Sequence, residues 1–281
     1  MTKTLLSIGH GFSARALAPR LVRQGWRVIG TTRSSAKFGQ LVTQGVEPLL
    51  WPGSRLPIDQ ATHVLTSVAP GANGDPVLAE MDDTLRAATH LEWVGYLSTT
   101  GVYGDHGGGW VDENTTLSPS TKRGQARVKA EAAWQELGLP LHIFRLAGIY
   151  GPGRGPFAKV RSGTARRIIK ENQVFSRTHV EDIASVLEAS IAKPNPGAAY
   201  NVCDDDPAPP QDVIAHAAEL LGLPLPPATP FEEAEMTPMA RSFYAESKRV
   251  RNNRIKEELG VKLRYPDYRN GLAALLAAET S

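Results

Sequence analysis

The sequence predicts an α/β protein, a doubly wound parallel sheet with a smaller C-terminal substrate lobe. Three observations predict it. Apolar runs of strand length alternate with spacers of helical length, a glycine-rich turn joins the first run to the first helical pattern, and the alternation stops after Arg145. In order, the runs fall at residues 4–8, 26–30, 46–51, 63–68, 93–98 and 141–145, with a last one at 199–203. The spacers at 77–91 and 126–137 have helical length. Beyond Arg145, residues 151–156 read as a loop and 157–170 as a basic helical pattern. Residues 204–210 read as a turn and 224–230 as a proline-rich connector. Helical patterns follow at 238–250 and 254–259, the second stopped by Gly260. The 281 residues suit one large α/β domain, or a core plus a small lobe. Residues 1–151 and 178–203 are assigned to the core, and 152–177 and 204–281 to the lobe.

The opening turn is the most specific motif. Gly9-His10-Gly11-Phe12-Ser13-Ala14 reads G-x-G-x-x-A between a strand and a helix, the context that a dinucleotide fingerprint needs. Gly9 permits the tight turn, Gly11 lets backbone approach a pyrophosphate, and Ala14 is small enough for close helix–strand packing. Free N–H groups of Gly11, Phe12 and Ser13 at the positive helix end then hold the phosphates. This places a Rossmann-type core around a nicotinamide dinucleotide. Where the second strand ends, NAD-preferring proteins carry an acid for the ribose 2′-hydroxyl. This chain reads Thr31-Thr32-Arg33-Ser34, with Lys37 one turn on. Arginine cannot accept from a hydroxyl, but its fork suits a 2′-phosphate, so NADP is expected over NAD. The plainer reading of Arg33 is a solvated cation.

Composition narrows the rest. A formal charge of +2, without a dense basic run, gives no case for nucleic acid. Cys203 is the only cysteine, which excludes internal disulfides and cysteine-rich zinc sites, and no histidine spacing resembles a metal site. No apolar stretch approaches a membrane span, and no charged-then-apolar leader precedes the first strand. A cytoplasmic protein is expected.

Three further segments carry a family resemblance: Ser98-Thr99-Thr100-Gly101-Val102-Tyr103-Gly104, Arg145 through Arg154 with its Tyr150-Gly151-Pro152-Gly153 core, and His179-Val180-Glu181-Asp182. With the N-terminal turn, they resemble the extended short-chain dehydrogenase/reductases, the NAD-dependent epimerase/dehydratase group. Among these, the chain is most similar to atypical bacterial members, the YeeZ-like proteins. The resemblance covers nearly the whole chain. It implies a catalytic hydroxyl at Thr99, with Thr100 as a near alternative, to hydrogen-bond a substrate oxygen. It also implies that Ser67, Ala69 and Pro70, at the tip of the fourth strand, lie beside the nicotinamide ribose. The plainer reading of Thr99 is a strand threonine satisfying local backbone.

The departure comes in the catalytic helix. The family reads P-x-x-x-Y-G-x-S-K-x-x-x-E, whereas this chain has Pro119, Gly124 and Glu131 in register with Arg123 at the tyrosine and Arg127 at the lysine. Arginine offers no proton near neutrality, and losing a positioned acid/base costs about two to four orders of magnitude in rate. Ordinary carbonyl reduction by the tyrosine–lysine pair is therefore excluded. Two arginines four apart near a helix start, capped by Ser118 or Ser120, repel each other and the helix's positive end, and an anion relieves both. Arg127 is then expected on the nicotinamide ribose and Arg123 on the substrate. The alternative is an Arg127–Glu131 pair on a solvated face. If a proton moves, Tyr103 is the first substitute, then Tyr150 and His179, although Tyr150 also reads as loop packing and His179 with Asp182 as a tether.

Arg154 in the glycine loop and Arg249 in the basic stretch Lys248–Arg254 are expected to face the substrate, a solvated helix face being the alternative for that stretch, which Arg241, Phe243 and Tyr244 precede. Asn201 either contacts substrate or caps a turn. The chain thus reads as an NADP-dependent oxidoreductase or epimerase acting on an anionic small molecule such as a nucleotide-linked sugar. The alternative is a cofactor-binding sensor without turnover. Family members often form homodimers, which the resemblance extends to this chain.

Overall fold

The computed structural model describes residues 2–279. At its centre is a seven-stranded parallel sheet of β1 (Thr4–Ile8), β2 (Arg27–Thr32), β3 (Glu47–Leu50), β4 (His63–Thr66), β5 (Trp93–Thr99), β6 (Leu141–Leu146) and β7 (Ala199–Val202). Their order is β7-β6-β5-β4-β1-β2-β3. The winding direction reverses between β1 and β4, so the carboxyl ends of these two strands open a crevice at the switch point. Four main helices cover the sheet: α1 (Phe12–Arg23), α2 (Pro76–Arg86), α3 (Lys122–Gln135) and α4 (Val180–Ala192). Leu17 and Leu21 of α1 meet Ile183 and Leu187 of α4 in one apolar layer. Val77, Met81 and Leu85 of α2 meet Ala130 and Trp134 of α3 in the other. Each large side chain buried there stabilises the fold by roughly 1.5–3 kcal/mol. Trp93 at the start of β5 is fully buried and its indole N–H still finds a partner, the Ser190 hydroxyl at 3.1 Å.

The C-terminal part adds α5 (Pro210–Leu220), α6 (Pro238–Phe243) and α7 (Tyr268–Glu279), with an apolar cluster of its own around Phe157, Val213, Tyr268 and Leu272. Three parallel two-stranded ladders stitch it together: Gly148–Tyr150 with Arg177–His179, Arg167–Ile169 with Ala228–Pro230, and Trp110–Val111 with Arg249–Val250. Ile255, Leu259 and Val261, far along the chain, pack into the α1/α4 layer instead. No helix among the described residues is long and apolar enough to cross a membrane.

Several elements differ from the sequence reading. The expected helix over 157–170 stops at Arg161. Gly163 then takes a left-handed φ of 67°, and Arg167–Ile169 becomes a strand. The expected helix over 238–250 likewise ends at Phe243, because Arg249 and Val250 pair with Trp110 and Val111. Val250 is 2% exposed among Val102, Tyr103, Val111 and Cys203. Burial of one valine against a distant strand outweighs helix propensity, which is worth only tenths of a kcal/mol per residue. The fourth strand ends at Thr66, two residues early, although the Ser67 amide still donates to Ile8 at 2.9 Å.

Candidate functional site

The crevice begins at the turn after β1. Gly9 has φ 75°, and a Cβ there would lie 3.0 Å from a Val68 methyl and 3.1 Å from the Ser67 hydroxyl, so both backbone and space demand glycine. The turn is tied down from behind. The Gly9 amide donates to Thr31 Oγ1 at 2.7 Å, the His10 amide donates to the Thr31 carbonyl, and the Ser67 hydroxyl donates to the Gly9 carbonyl. The His10 ring is buried against Ser7, and burial pushes its pKa down to about 4, so it is neutral at physiological pH. The extended Gly11 precedes α1 as its cap residue, and no side chain caps this twelve-residue helix. A Cβ on Gly11 would find only the Gly9 carbonyl, at 3.6 Å, so this face of the backbone lies open to the cavity. Phe12 and Ser13 line the cavity beside it, while Ala14 is packed in the core. Uncapped amides, a positive helix end and an open backbone face fit the pyrophosphate of a dinucleotide. Arg33, just past β2, is exposed and has no ion-pair partner among the described residues. It stands outside the cavity wall, as do Lys37, Ala69 and Pro70, whereas Ser67 is part of that wall.

The cavity continues from this turn as a single space of about 810 Å³. Thr99 and Thr100, leaving β5, form part of its wall, and the Gly101 amide donates to Thr99 Oγ1 at 3.2 Å. Opposite stands the start of α3. Its cap is Thr121, whose Oγ1 accepts from the Gly124 amide at 3.1 Å, and neither Ser118 nor Ser120 takes that place. A Cβ on Gly124 would come within 2.7 Å of the Gly101 carbonyl, so glycine lets helix and strand tip close together. Arg127, 8% exposed, donates to the Leu97 carbonyl at 2.7 Å and to the Tyr96 hydroxyl at 2.9 Å. It does not pair with Glu131. That carboxylate is taken by Arg145 at 2.9 Å and by the Ser98 hydroxyl, a buried network that fixes β5, β6 and α3 to one another. Arg123 stands at the rim with its guanidinium 5.9 Å from the Phe243 ring. Desolvation and the charges of Arg127 and Arg154 lower its pKa from the ordinary arginine value. Arg154 lies over Phe12 at 5.6 Å.

Other expected site residues fall elsewhere. Tyr103 is fully buried behind the wall, donating to Asn201 Oδ1 at 2.7 Å and accepting from Arg145 at 3.0 Å. Burial pushes its pKa up to about 12, and with its hydroxyl engaged behind the wall it does not reach the cavity to replace the missing tyrosine as acid. Asn201, 0% exposed, completes that network and holds the Arg251 carbonyl, so it does not reach the cavity. Arg249 is engaged by the Gly108 carbonyl and is absent from the cavity wall; Lys248 takes its place there, paired with Glu246 at 2.7 Å. Nδ1 of His179 accepts from the Glu181 amide and so caps α4, while Asp182 accepts from the Arg264 and Tyr265 amides, a loop tether. Tyr150 does line the cavity, but burial and nearby carboxylates raise its pKa well above the usual phenol range.

The sequence reading missed Phe175, Arg177 and Tyr268. The guanidinium of Arg177 donates to the Phe175 and Ala208 carbonyls at 2.8 and 2.9 Å, and burial lowers its pKa. Its signal was slight: one arginine before the His179 motif, on a strand of three residues.

No family profile matches the chain. Over 283 aligned residues it is 28% identical to protein YeeZ of Escherichia coli (strain K12), an alignment covering 94% of this chain and 97% of that one. A conserved protein of unknown function from Silicibacter pomeroyi DSS is 62% identical over the full length of both chains, with a TM-score of 0.96. The dTDP-glucose 4,6-dehydratase of Bacillus anthracis, solved in complex with NAD, shares the fold at 15% identity and a TM-score of 0.79, covering 100% of this chain and 97% of that one. With its G-x-G-x-x-A turn and its strand order, the chain is homologous to YeeZ over nearly its whole length and shares the fold of the NAD-dependent epimerases and dehydratases, consistent with an atypical extended short-chain dehydrogenase/reductase.

Proposed function

We propose that the protein binds NADP(H) in preference to NAD(H) and acts as an oxidoreductase or epimerase on an anionic small molecule, of which a nucleotide-linked sugar is one class. A single observation carries the reading. Arg123, Arg127, Arg154 and Arg177 line the same cavity as the uncapped start of α1, and among the described residues none has a carboxylate within ion-pair distance. Unpaired cations around a cavity favour an anion. The α1 amides hold the pyrophosphate, Arg33 the 2′-phosphate, and Arg127, already anchored to β5, the ribose hydroxyls. The nicotinamide supplies hydride exchange when bound. Thr99 orients the substrate oxygen, while Arg123 and Arg154 clamp its anionic group.

The test titrates NADPH and NADH into the wild-type protein and into Arg33→Ala. NADPH should bind about tenfold or more tightly than NADH, a difference of ~1.4 kcal/mol, and the variant should lose that preference. Equal affinities in the wild type would remove the argument from Arg33. A second reading, a redox-ratio sensor without turnover, is favoured by the arginine pair and by the place of Tyr103, which is fully buried behind the cavity wall and does not reach the site. Screening anionic carbonyl compounds for NADPH oxidation separates the two readings.

A further inference from the structure

The cavity wall is rich in cations and aromatic rings and poor in carboxylate and amide acceptors. Among the described residues no aspartate, asparagine, glutamine or histidine lines it. Its one carboxylate, Glu246, is occupied by Lys248 at 2.7 Å and by the Ser120 hydroxyl at 2.6 Å. A sugar, rich in hydroxyl donors, is held best by carboxylate or amide acceptors, and this wall offers it only serine, threonine and tyrosine hydroxyls and backbone carbonyls. A flat anionic ligand needs the opposite, guanidinium donors and ring faces, and both are present. Tyr244 meets Phe175 edge-to-face at 5.6 Å and is backed by Phe231 at 5.4 Å. Arg123 lies over Phe243, the residue before Tyr244, and has no other partner among the described residues.

We propose that the substrate half of the cavity takes an aromatic carboxylate, its ring against the Phe175–Tyr244 pair and its carboxylate on the Arg123 guanidinium. The inference rests on reading this cavity as a substrate site beside a nicotinamide cofactor. It narrows the anion to one that carries its charge on a planar ring. A ring edge or face placed against Tyr244 gains quadrupole interaction as well as burial, and a carboxylate matches the arginine fork with two parallel hydrogen bonds.

The experiment is calorimetry on the full chain, with and without NADPH, using four probes. These are trans-cinnamate, cinnamyl alcohol (the ring without the charge), cyclohexanecarboxylate (the charge without the aromatic ring) and UDP-glucose. Cinnamate should bind at least about tenfold more tightly than each of the others. Arg123→Gln should bring the acid and the alcohol to comparable affinity, and Tyr244→Leu should do so for the aromatic and alicyclic acids. Tighter binding of UDP-glucose, or wild-type protein that does not distinguish acid from alcohol, overturns the proposal. If a variant does not fold, the wild-type probe series decides alone. NADPH binding is read in its own titration, so loss of the cofactor reading and loss of the aromatic-acid reading give different results.

Discussion

At the end of the cavity proposed for the cofactor, one continuous stretch, residues 4–32, supplies a strand, a glycine turn, an uncapped helix and a second strand, and works largely through its backbone. At the substrate end, Thr99, Arg123, Arg154, Phe175 and Tyr244 arrive from distant parts of the chain and act through side chains. The contrast explains why one end keeps its family pattern and the other departs from it. Backbone amides at a helix start do the same work under almost any neighbouring sequence, provided glycine clears the way. Side-chain chemistry changes with a single substitution, and here arginine stands at both positions, 123 and 127, where the resembled family reads tyrosine and lysine.

Four outcomes would break or sharpen that contrast. The largest concerns the frame behind the substrate end. Glu131→Ala leaves Arg145 buried without its carboxylate and should destabilise the fold by about 3–5 kcal/mol, read by chemical denaturation. A change under 1 kcal/mol would mean that the network is not structural. Next, Gly11→Val projects a side chain into the open face over α1 and should weaken NADPH binding by at least about tenfold without loss of fold. Unchanged affinity would move the pyrophosphate elsewhere.

The third outcome is a pH dependence. The Asp204 carboxyl is 2% exposed, its oxygens find no hydrogen bond, and burial pushes its pKa up to about 8. The unfolded carboxyl has the ordinary value of 3.8, so the folded state holds this proton more tightly. The contribution of Asp204 to stability is therefore full below pH ~4 and is lost progressively as pH rises toward 8. Asp204→Asn should be more stable than wild type at pH 8 by a margin that shrinks at pH 5, measured as denaturation midpoints. A margin independent of pH would show that this carboxyl does not titrate with folding. The smallest effect is expected from Arg123→Tyr combined with Arg127→Lys. NADPH affinity should fall by less than about tenfold, because the phosphates rest on the opposite wall.

Legibility in the sequence follows the same division. The seven strands and the glycine turn were readable because local patterns alone specify them: continuous apolar runs, helical spacing, and glycines where the backbone needs room. The Arg123 and Arg127 substitutions were readable because Pro119, Gly124 and Glu131 hold the register. Tyr103 was misread, since its motif position gives no information on which way a side chain points after a short helical turn. In the structure Arg145 and Asn201 draw it into the interior. The helices expected over 157–170 and 238–250 were cut short by pairings with Ala228–Pro230 and Trp110–Val111, partners 61 and 139 residues away by their registers Arg167↔Ala228, Ile169↔Pro230 and Arg249↔Trp110. No local pattern encodes such a pairing. Arg177 went unnoticed for the same reason, because its neighbours in the cavity are supplied by other segments.

The most direct measurement is a crystal structure of the protein grown with NADPH. The account predicts the pyrophosphate on the Phe12 and Ser13 amides, the 2′-phosphate against Arg33, and the nicotinamide between Thr99 and Arg127. A pyrophosphate seated away from the start of α1, or a cofactor that does not enter this cavity, would contradict it.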